Sequence, residues 1–161
     1  MWDCKGCKNS CCKHKKPALN KADVVRLYKK LGKDVFKHLI FRPDIQGRVV
    51  KGSENEGVLT LKSKEDGSCV FYDGELCTVY KYRPTSCKLY PYNPIFTQHD
   101  GYYTMCETTS ECKELDKGHS FNHKNTALQW RKERLEYDKI VFDYNNKENR
   151  DFREFLVGLI K

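Results

Sequence analysis

Apolar residues recur at helical spacing in three stretches of the chain. Residues 21–31 place four of them on one face of a helix: Val24, Leu27, Tyr28 and Leu31. Asn20 precedes this run as an N-cap, and Asp23 occupies the acidic position of a capping box. Residues 125–145 predict a long charged helix carrying Leu128, Leu135 and Val141, and residues 151–160 predict a final amphipathic helix.

Shorter apolar runs separated by turn residues fill the middle of the chain. Gly32 ends the first helix, and residues 34–40 predict one further short helical turn. Residues 48–51 and 58–61 predict strands. Asp73-Gly74, between residues 69–72 and 76–80, is a two-residue hairpin signal that would hold Cys69 and Cys77 near one another.

Proline marks one more short helix. Pro84 suits its first turn and Pro91 ends it, so Cys87 is expected within this helix. Residues 101–105 predict a last strand that leads into Cys106. These elements predict an α+β fold: a small domain with a short antiparallel hairpin or sheet, flanking helices and a C-terminal helical segment. We expect a cysteine-rich part at residues 1–120 and a helical extension at 121–161 that packs on the same domain.

The composition indicates that the fold needs disulfide bonds or a bound metal for stability. Of the 161 residues 39% are hydrophobic and 32% charged, so the chain is polar for its size. The N-terminus lacks the apolar region of a secretory signal, and the sequence contains no run of 18 apolar residues. We therefore expect a cytoplasmic protein without a membrane segment, in which cysteines stay reduced.

Nine cysteines are the strongest chemical signal in the sequence. An odd number cannot all form intrachain disulfides, and the adjacent pair Cys11-Cys12 is poorly suited to bridging itself. Clustered and spaced thiols instead favour a metal–thiolate site, with every cysteine a candidate ligand: Cys4, Cys7, Cys11, Cys12, Cys69, Cys77, Cys87, Cys106 and Cys112.

The spacing alone leaves the metal open between zinc and iron. Only Cys4-x2-Cys7 has the spacing of a zinc ribbon, and the segment matches no ferredoxin pattern. Seven to nine cysteines exceed the needs of one tetrahedral zinc ion, so an iron–sulfur cluster such as 4Fe–4S is preferred, alone or with zinc. His14, close to Cys12, and the pair His119 and His123 are weaker candidate ligands.

The order of these cysteines resembles the CxxCxxCC family, the YkgJ-like zinc- or iron-chelating domain. The similarity covers residues 4–91 and includes the motif Cys77-Thr-Val-Tyr80-Lys-Tyr-Arg83-Pro84-Thr-Ser-Cys87-Lys88-Leu-Tyr90-Pro91. It implies that the first seven cysteines are ligands or immediate neighbours of the metal, with Cys106 and Cys112 beyond the shared core. One departure is three residues between Cys7 and Cys11 where the family usually has two.

Function beyond metal binding stays open at the level of sequence. The family is similar to bacterial flagellin lysine N-methylase in its cysteine region, but this chain has no Gly-rich cofactor loop. A cluster supporting a redox or protein- or RNA-modification reaction is one hypothesis, and metal buffering or delivery is another. Arg83 is expected beside the metal, as a donor to sulfur, or instead pairs with an acidic residue or a carbonyl.

A net charge of +8 supports a further alternative, a structural zinc module that binds RNA or an acidic protein partner. The same lysines also suit two simpler roles, as compensation for thiolate charge or as an ordinary solvated surface.

Overall fold

The computed structural model describes residues 11–90, 92–96, 103–107 and 123–161. The α-helices of this part are α1 (Lys21–Leu31), α2 (Thr85–Leu89), α3 (His123–Asn145) and α4 (Phe152–Leu159). The strands are β1 (Leu39–Arg42), β2 (Val49–Lys51), β3 (Glu56–Leu61), β4 (Tyr92–Phe96) and β5 (Tyr103–Glu107). Short 3-10 helices lie at Cys11–Lys13, Gly32–His38 and Tyr80–Tyr82. The α+β class is confirmed.

Helix α1 forms where its apolar spacing and cap predict it. The Asn20 side chain accepts from the backbone N–H of Asp23, and the Asp23 carboxylate accepts from that of Asn20, so the capping box is complete. Gly32 ends the helix with a positive φ of 58°, a conformation that glycine adopts without strain.

The main sheet is antiparallel with the order β1-β3-β2. Leu39 pairs with Leu61 across β1 and β3, and Val50 with Gly57 across β2 and β3. A Cβ atom on Gly57 would lie 2.7 Å from the backbone nitrogen of Arg42, so only glycine allows β1 this close. A separate pair, β4 with β5, places Cys106 of β5 opposite Asn93.

Helices α3 and α4 contribute to the same apolar core as α1 and the sheet. That core includes Leu27 of α1, Leu59 of β3, Val141 of α3 and Phe155 of α4. The last residue of α3, Asn145, bonds the edge of β2: its Nδ2 donates to the Val49 carbonyl, and its Oδ1 accepts from the Lys51 N–H. The division of the chain at residue 120 stays a prediction.

The predicted hairpin is replaced by a wider turn. Residues 69–72 and 76–80 form no strands; they share only the isolated bridge between Tyr72 and Cys77. The Asp73 carboxylate accepts from the backbone N–H groups of Glu75 and Leu76, which stabilises a four-residue turn instead of the two-residue one. Cys69 and Cys77 remain near one another without strands, because the bridge between Tyr72 and Cys77 joins their turns.

The helical turn predicted at residues 34–40 is the 3-10 helix Gly32–His38. Its last two predicted residues, Leu39 and Ile40, belong instead to β1, because they pair with β3. No helix in the described segments is long and apolar enough to cross a membrane.

Candidate metal centre

Two cysteines from distant parts of the chain are joined through their backbones. Cys12 lies in the 3-10 turn Cys11–Lys13, and its carbonyl accepts a 2.7 Å hydrogen bond from the backbone N–H of Cys69. The same turn is closed by the Cys11 carbonyl, which accepts from the N–H groups of His14 and Lys15 at 3.2 and 2.9 Å. The start of the described chain is thereby held against residue 69.

Cys69 and Cys77 sit in similar local structures. The Sγ atom of Cys69 accepts from the backbone N–H of Phe71, and that of Cys77 accepts from the backbone N–H of Val79. In each case the donor is two residues after the cysteine. Such N–H···S bonds favour the thiolate form and orient the sulfur, as expected for a ligand. The bridge between Tyr72 and Cys77 keeps the two turns together.

Cys87 comes from the short helix α2. Pro84 and Leu89, at the two ends of this helix, are both buried, and Cys87 itself is half-buried. Because Pro84 has no side-chain donor or acceptor, it caps nothing; the backbone N–H of Thr85 is satisfied by the Asp23 carboxylate of α1 at 2.8 Å. The position of Cys87 therefore depends on α1.

The thiols of Cys12, Cys69, Cys77 and Cys87 are close enough to influence each other electrostatically. Burial raises the pKa of the Cys87 thiol most strongly, and the other three thiols and Asp23 raise it further. Burial also raises the pKa of Cys77 to about 11, with contributions in the same direction from Cys12 and Cys69. Burial raises the pKa of Cys69 as well. Burial thus favours the protonated form of Cys69, Cys77 and Cys87, and a bound metal ion would reverse that preference.

Three cationic side chains surround the thiols. The Lys15 ammonium interacts with Cys11 and Cys87 and lies 3.7 Å from the centre of the Tyr90 ring. Lys64 lowers the pKa of Cys69 and Arg83 that of Cys77, each against the larger effect of burial. These charges offset part of the negative charge that several thiolates would bring together.

Arg83 makes one of its two expected contacts, the bond to a carbonyl, and lies near a thiol. Its Nη1 donates to the Tyr80 carbonyl at 2.9 Å, and its guanidinium stacks 3.7 Å from the Tyr80 ring centre. Its charge also reaches the Cys77 thiol. A direct bond from Arg83 to a metal-bound sulfur stays a prediction.

The remaining candidate ligands are placed as follows. Cys4, Cys7, Cys112 and His119 lie outside the described residues, and only the backbone is described for Cys106 and His123. His14 is exposed beside the Cys11–Lys13 turn.

Among the described residues, the candidate site consists of thiols that lie near one another but do not form a complete set of metal ligands. The five cysteines whose side chains are described are thiols: Cys11, Cys12, Cys69, Cys77 and Cys87. Within residues 11–90, 92–96, 103–107 and 123–161, no three His, Cys, Asp or Glu side chains already lie at the distances of a metal site. Soft sulfur donors with N–H···S bonds and adjacent cations fit a thiophilic ion, zinc or iron.

One functional element was missed at the level of sequence: a buried polar cluster of Asp23, Arg26, Thr85 and Glu133. Arg26 of α1 donates to Asp23 and to Thr85, and its Nη1 donates to Glu133 of α3 at 2.9 Å. The Thr85 hydroxyl donates to Glu133 at 3.2 Å. Glu133 is separated from Asp23 by more than a hundred residues, so only the capping role of Asp23 had a sequence signal.

These observations fit a metal-chelating domain. The chain belongs to the CxxCxxCC family, described as a putative zinc- or iron-chelating domain, whose model matches residues 3–139. The match includes all nine cysteines and extends into α3. No curated protein and no solved structure is detectably similar to the chain.

Proposed function

We propose that this protein holds iron or zinc through cysteine thiolates, with an iron–sulfur cluster as the preferred group. The observation that carries the proposal is that Cys12, Cys69, Cys77 and Cys87, from three separate segments of the chain, lie near enough to influence one another electrostatically. Cysteines that served only packing would have no reason to be gathered in this way.

These four cysteines are the core of the proposed ligand set. Cys11 adjoins them, and Cys4, Cys7, Cys106 and Cys112 are the further proposed ligands. The N–H groups of Phe71 and Val79 orient two of the sulfurs, and Lys15, Lys64 and Arg83 offset their charge. When bound, an iron–sulfur cluster would supply electron transfer, whereas zinc would supply a structural link or a Lewis acid.

The number of cysteines favours more than one four-cysteine site. One tetrahedral zinc uses four ligands, and so does one 4Fe–4S cluster, so nine thiols leave five in excess of either. Two four-cysteine sites with one spare thiol, or one cluster with one zinc ion, would use this excess, and a cluster among them would support a redox or protein- or RNA-modification reaction. The alternative, a zinc module that binds RNA or an acidic protein through its basic surface, requires colourless protein with saturated zinc.

Anaerobic purification followed by metal and acid-labile sulfide analysis tests the proposal. We expect iron and sulfide in equal amounts and broad visible absorption from sulfur-to-iron charge transfer. Colourless protein with stoichiometric zinc and no sulfide would show that the site holds zinc and not a cluster. Protein with neither metal after anaerobic reconstitution would contradict metal binding itself.

Two neighbouring substitutions on α2 test the ligand assignment. Cys87→Ala should lower the amount of bound metal, because it removes one of the proposed sulfur donors. Ser86→Ala, the adjacent residue on the same short helix, is the matched control and should retain the full metal content. Equal metal in both variants would remove Cys87 from the ligand set.

A further inference from the structure

The polar cluster of Asp23, Arg26, Thr85 and Glu133 joins three helices at one point. Asp23, Thr85 and Glu133 are 1, 3 and 5% exposed, so their charges and hydrogen bonds are shielded from water. Glu133 accepts from Arg26 through Oε1 at 2.9 Å, and through Oε2 from the Thr85 hydroxyl at 3.2 Å. Gln129, one turn earlier on α3, also donates to Glu133 at 3.1 Å.

The Asp23 carboxylate serves the first turns of two helices at once. Its Oδ2 accepts from the backbone N–H of Asn20 in the capping box of α1. Its Oδ1 accepts from the backbone N–H of Thr85, the first residue of α2, at 2.8 Å. Arg26 holds this carboxylate in place by a further hydrogen bond.

Helix α2 has little capacity to hold itself in position. It contains five residues, and helices this short are unstable in isolation because nucleation is costly. Its N-cap residue, Pro84, makes no side-chain cap. The Thr85 hydroxyl and backbone N–H bond to the other three residues of the cluster, and Cys87 follows Thr85 by two residues.

We propose that the polar cluster positions Cys87 for metal binding, with Arg26 and Glu133 as its positioning residues. This inference rests on the proposed function. Arg26 and Glu133 touch no sulfur in the described structure; they act through Thr85 and the start of α2. The ion pair between Arg26 of α1 and Glu133 of α3 thereby influences the metal affinity of the thiolate site.

Glu133→Gln is the direct test, with Glu136→Gln as its control. Both substitutions remove one carboxylate charge from α3, but Glu136 is exposed and Glu133 is buried in the cluster. Zn²⁺ affinity of the metal-free full chain is measured by competition with a chelator. We expect Glu133→Gln to weaken binding about 10-fold or more, the range for groups that orient ligands. Glu136→Gln should bind as the wild type does.

A double-mutant cycle separates positioning from general loosening. In a Cys87→Ala background, Glu133→Gln should cause little further loss of Zn²⁺ affinity, because the ligand on which it acts is already gone. An equal loss with and without Cys87 would overturn the inference. Should Glu133→Gln fail to fold, Thr85→Val and Thr85→Ser replace it: valine removes the hydroxyl and should weaken Zn²⁺ binding, whereas serine retains it and should bind normally.

A metal-independent measurement keeps this inference distinct from the proposed function. In metal-free protein, the rate of Cys87 alkylation by iodoacetamide is followed by peptide mass spectrometry. Glu133→Gln should accelerate alkylation of Cys87, with Cys69 and Cys77 unchanged as internal references. A wild type that takes up neither Zn²⁺ nor iron after anaerobic reconstitution would contradict the proposed function, whereas an unchanged Cys87 alkylation rate would overturn the positioning role.

Discussion

At the scale of single residues, Asp23 shows how one buried charge can be tolerated and used. Burial raises the pKa of its carboxyl, while Arg26 and the N–H groups of Thr85 and Asn20 act in the opposite direction. The backbone N–H groups of Asn20 and Thr85 would otherwise lack this carboxylate partner inside the protein. The side chain therefore stabilises the start of α1 and the start of α2 together.

Asp23→Asn should reduce the free energy of unfolding by about 2 kcal/mol, the cost of leaving buried donors unsatisfied. The amide retains one acceptor oxygen but turns an NH₂ group toward donors that need a second. Chemical denaturation with matched slopes measures the change. Asp34→Asn is the control, because Asp34 pairs with Lys37 on the exposed surface. Equal stability of the two variants would show that the Asp23 contacts contribute nothing.

At the scale of elements, β3 is the strand on which the main sheet depends. It pairs with β1 on one side and β2 on the other, and five of its six residues are buried. Thr60, in the same strand, donates through Oγ1 to the Pro17 carbonyl and pairs with Ala18 in an isolated bridge. The sheet thereby fixes the chain five residues after Cys12.

Gly57→Ala should destabilise the protein by roughly 1–3 kcal/mol, the usual cost of forcing extra atoms into a packed site. The new Cβ would meet backbone atoms of Phe41 and Arg42 in β1, and these cannot move without opening the strand pair.

Gly158→Ala is the matched substitution on α4, where a Cβ has no neighbour within 4 Å. Alanine should stabilise this helix by about 0.5–1 kcal/mol. Thermal and chemical unfolding of both variants check the pair. A Gly57→Ala protein as stable as the wild type would contradict the close approach of β1 and β3.

At the scale of the whole molecule, the apolar core and the thiol group rest on different kinds of structure. Helices α1, α3 and α4 and the main sheet supply the centre of the core. Cys69 and Cys77, by contrast, lie in turns joined by isolated bridges. Few regular hydrogen-bonded elements support this region, so a bound ion would contribute much of its local stability.

Removal of the metal by a chelator should therefore loosen residues 63–80 first. Hydrogen exchange by mass spectrometry should show faster exchange there, while β3 and the buried face of α3 remain protected. Exchange that rises uniformly along the chain would show that the ion supports the entire fold. Exchange unchanged in residues 63–80 would show that no ion is held there.

Helix α1 could be predicted from sequence because its cap and apolar period are local signals, and α3 and α4 because their apolar residues recur at helical spacing. The turn at Asp73-Gly74 could not be predicted, because the Asp73 carboxylate stabilises a wider turn through its own hydrogen bonds. The inward face of α3 was also unclear: Leu135 is 55% exposed, whereas Tyr137 and Val141 are buried. Packing against α1 and α4 determines which face of α3 is buried, and the local sequence pattern does not indicate that face.

The candidate site, like the fold, could be predicted from the sequence only in part. The cysteine motif predicted a zinc- or iron-chelating domain, because thiol clustering is visible in the sequence, and the assignment of its ligands stays a prediction. The polar contacts of Thr85, two residues before Cys87, were not predictable, since Glu133 reaches Thr85 only through the packing of α3 against α2. Long-range polar contacts of this kind carry no sequence period.

X-ray absorption at the metal edge of anaerobically purified protein tests the central claim most directly, because it counts the atoms bound to the ion. The account predicts a first shell of sulfur at about 2.3 Å, and a loss of sulfur from that shell in Cys87→Ala. A first shell made of nitrogen and oxygen, with sulfur absent, would contradict it.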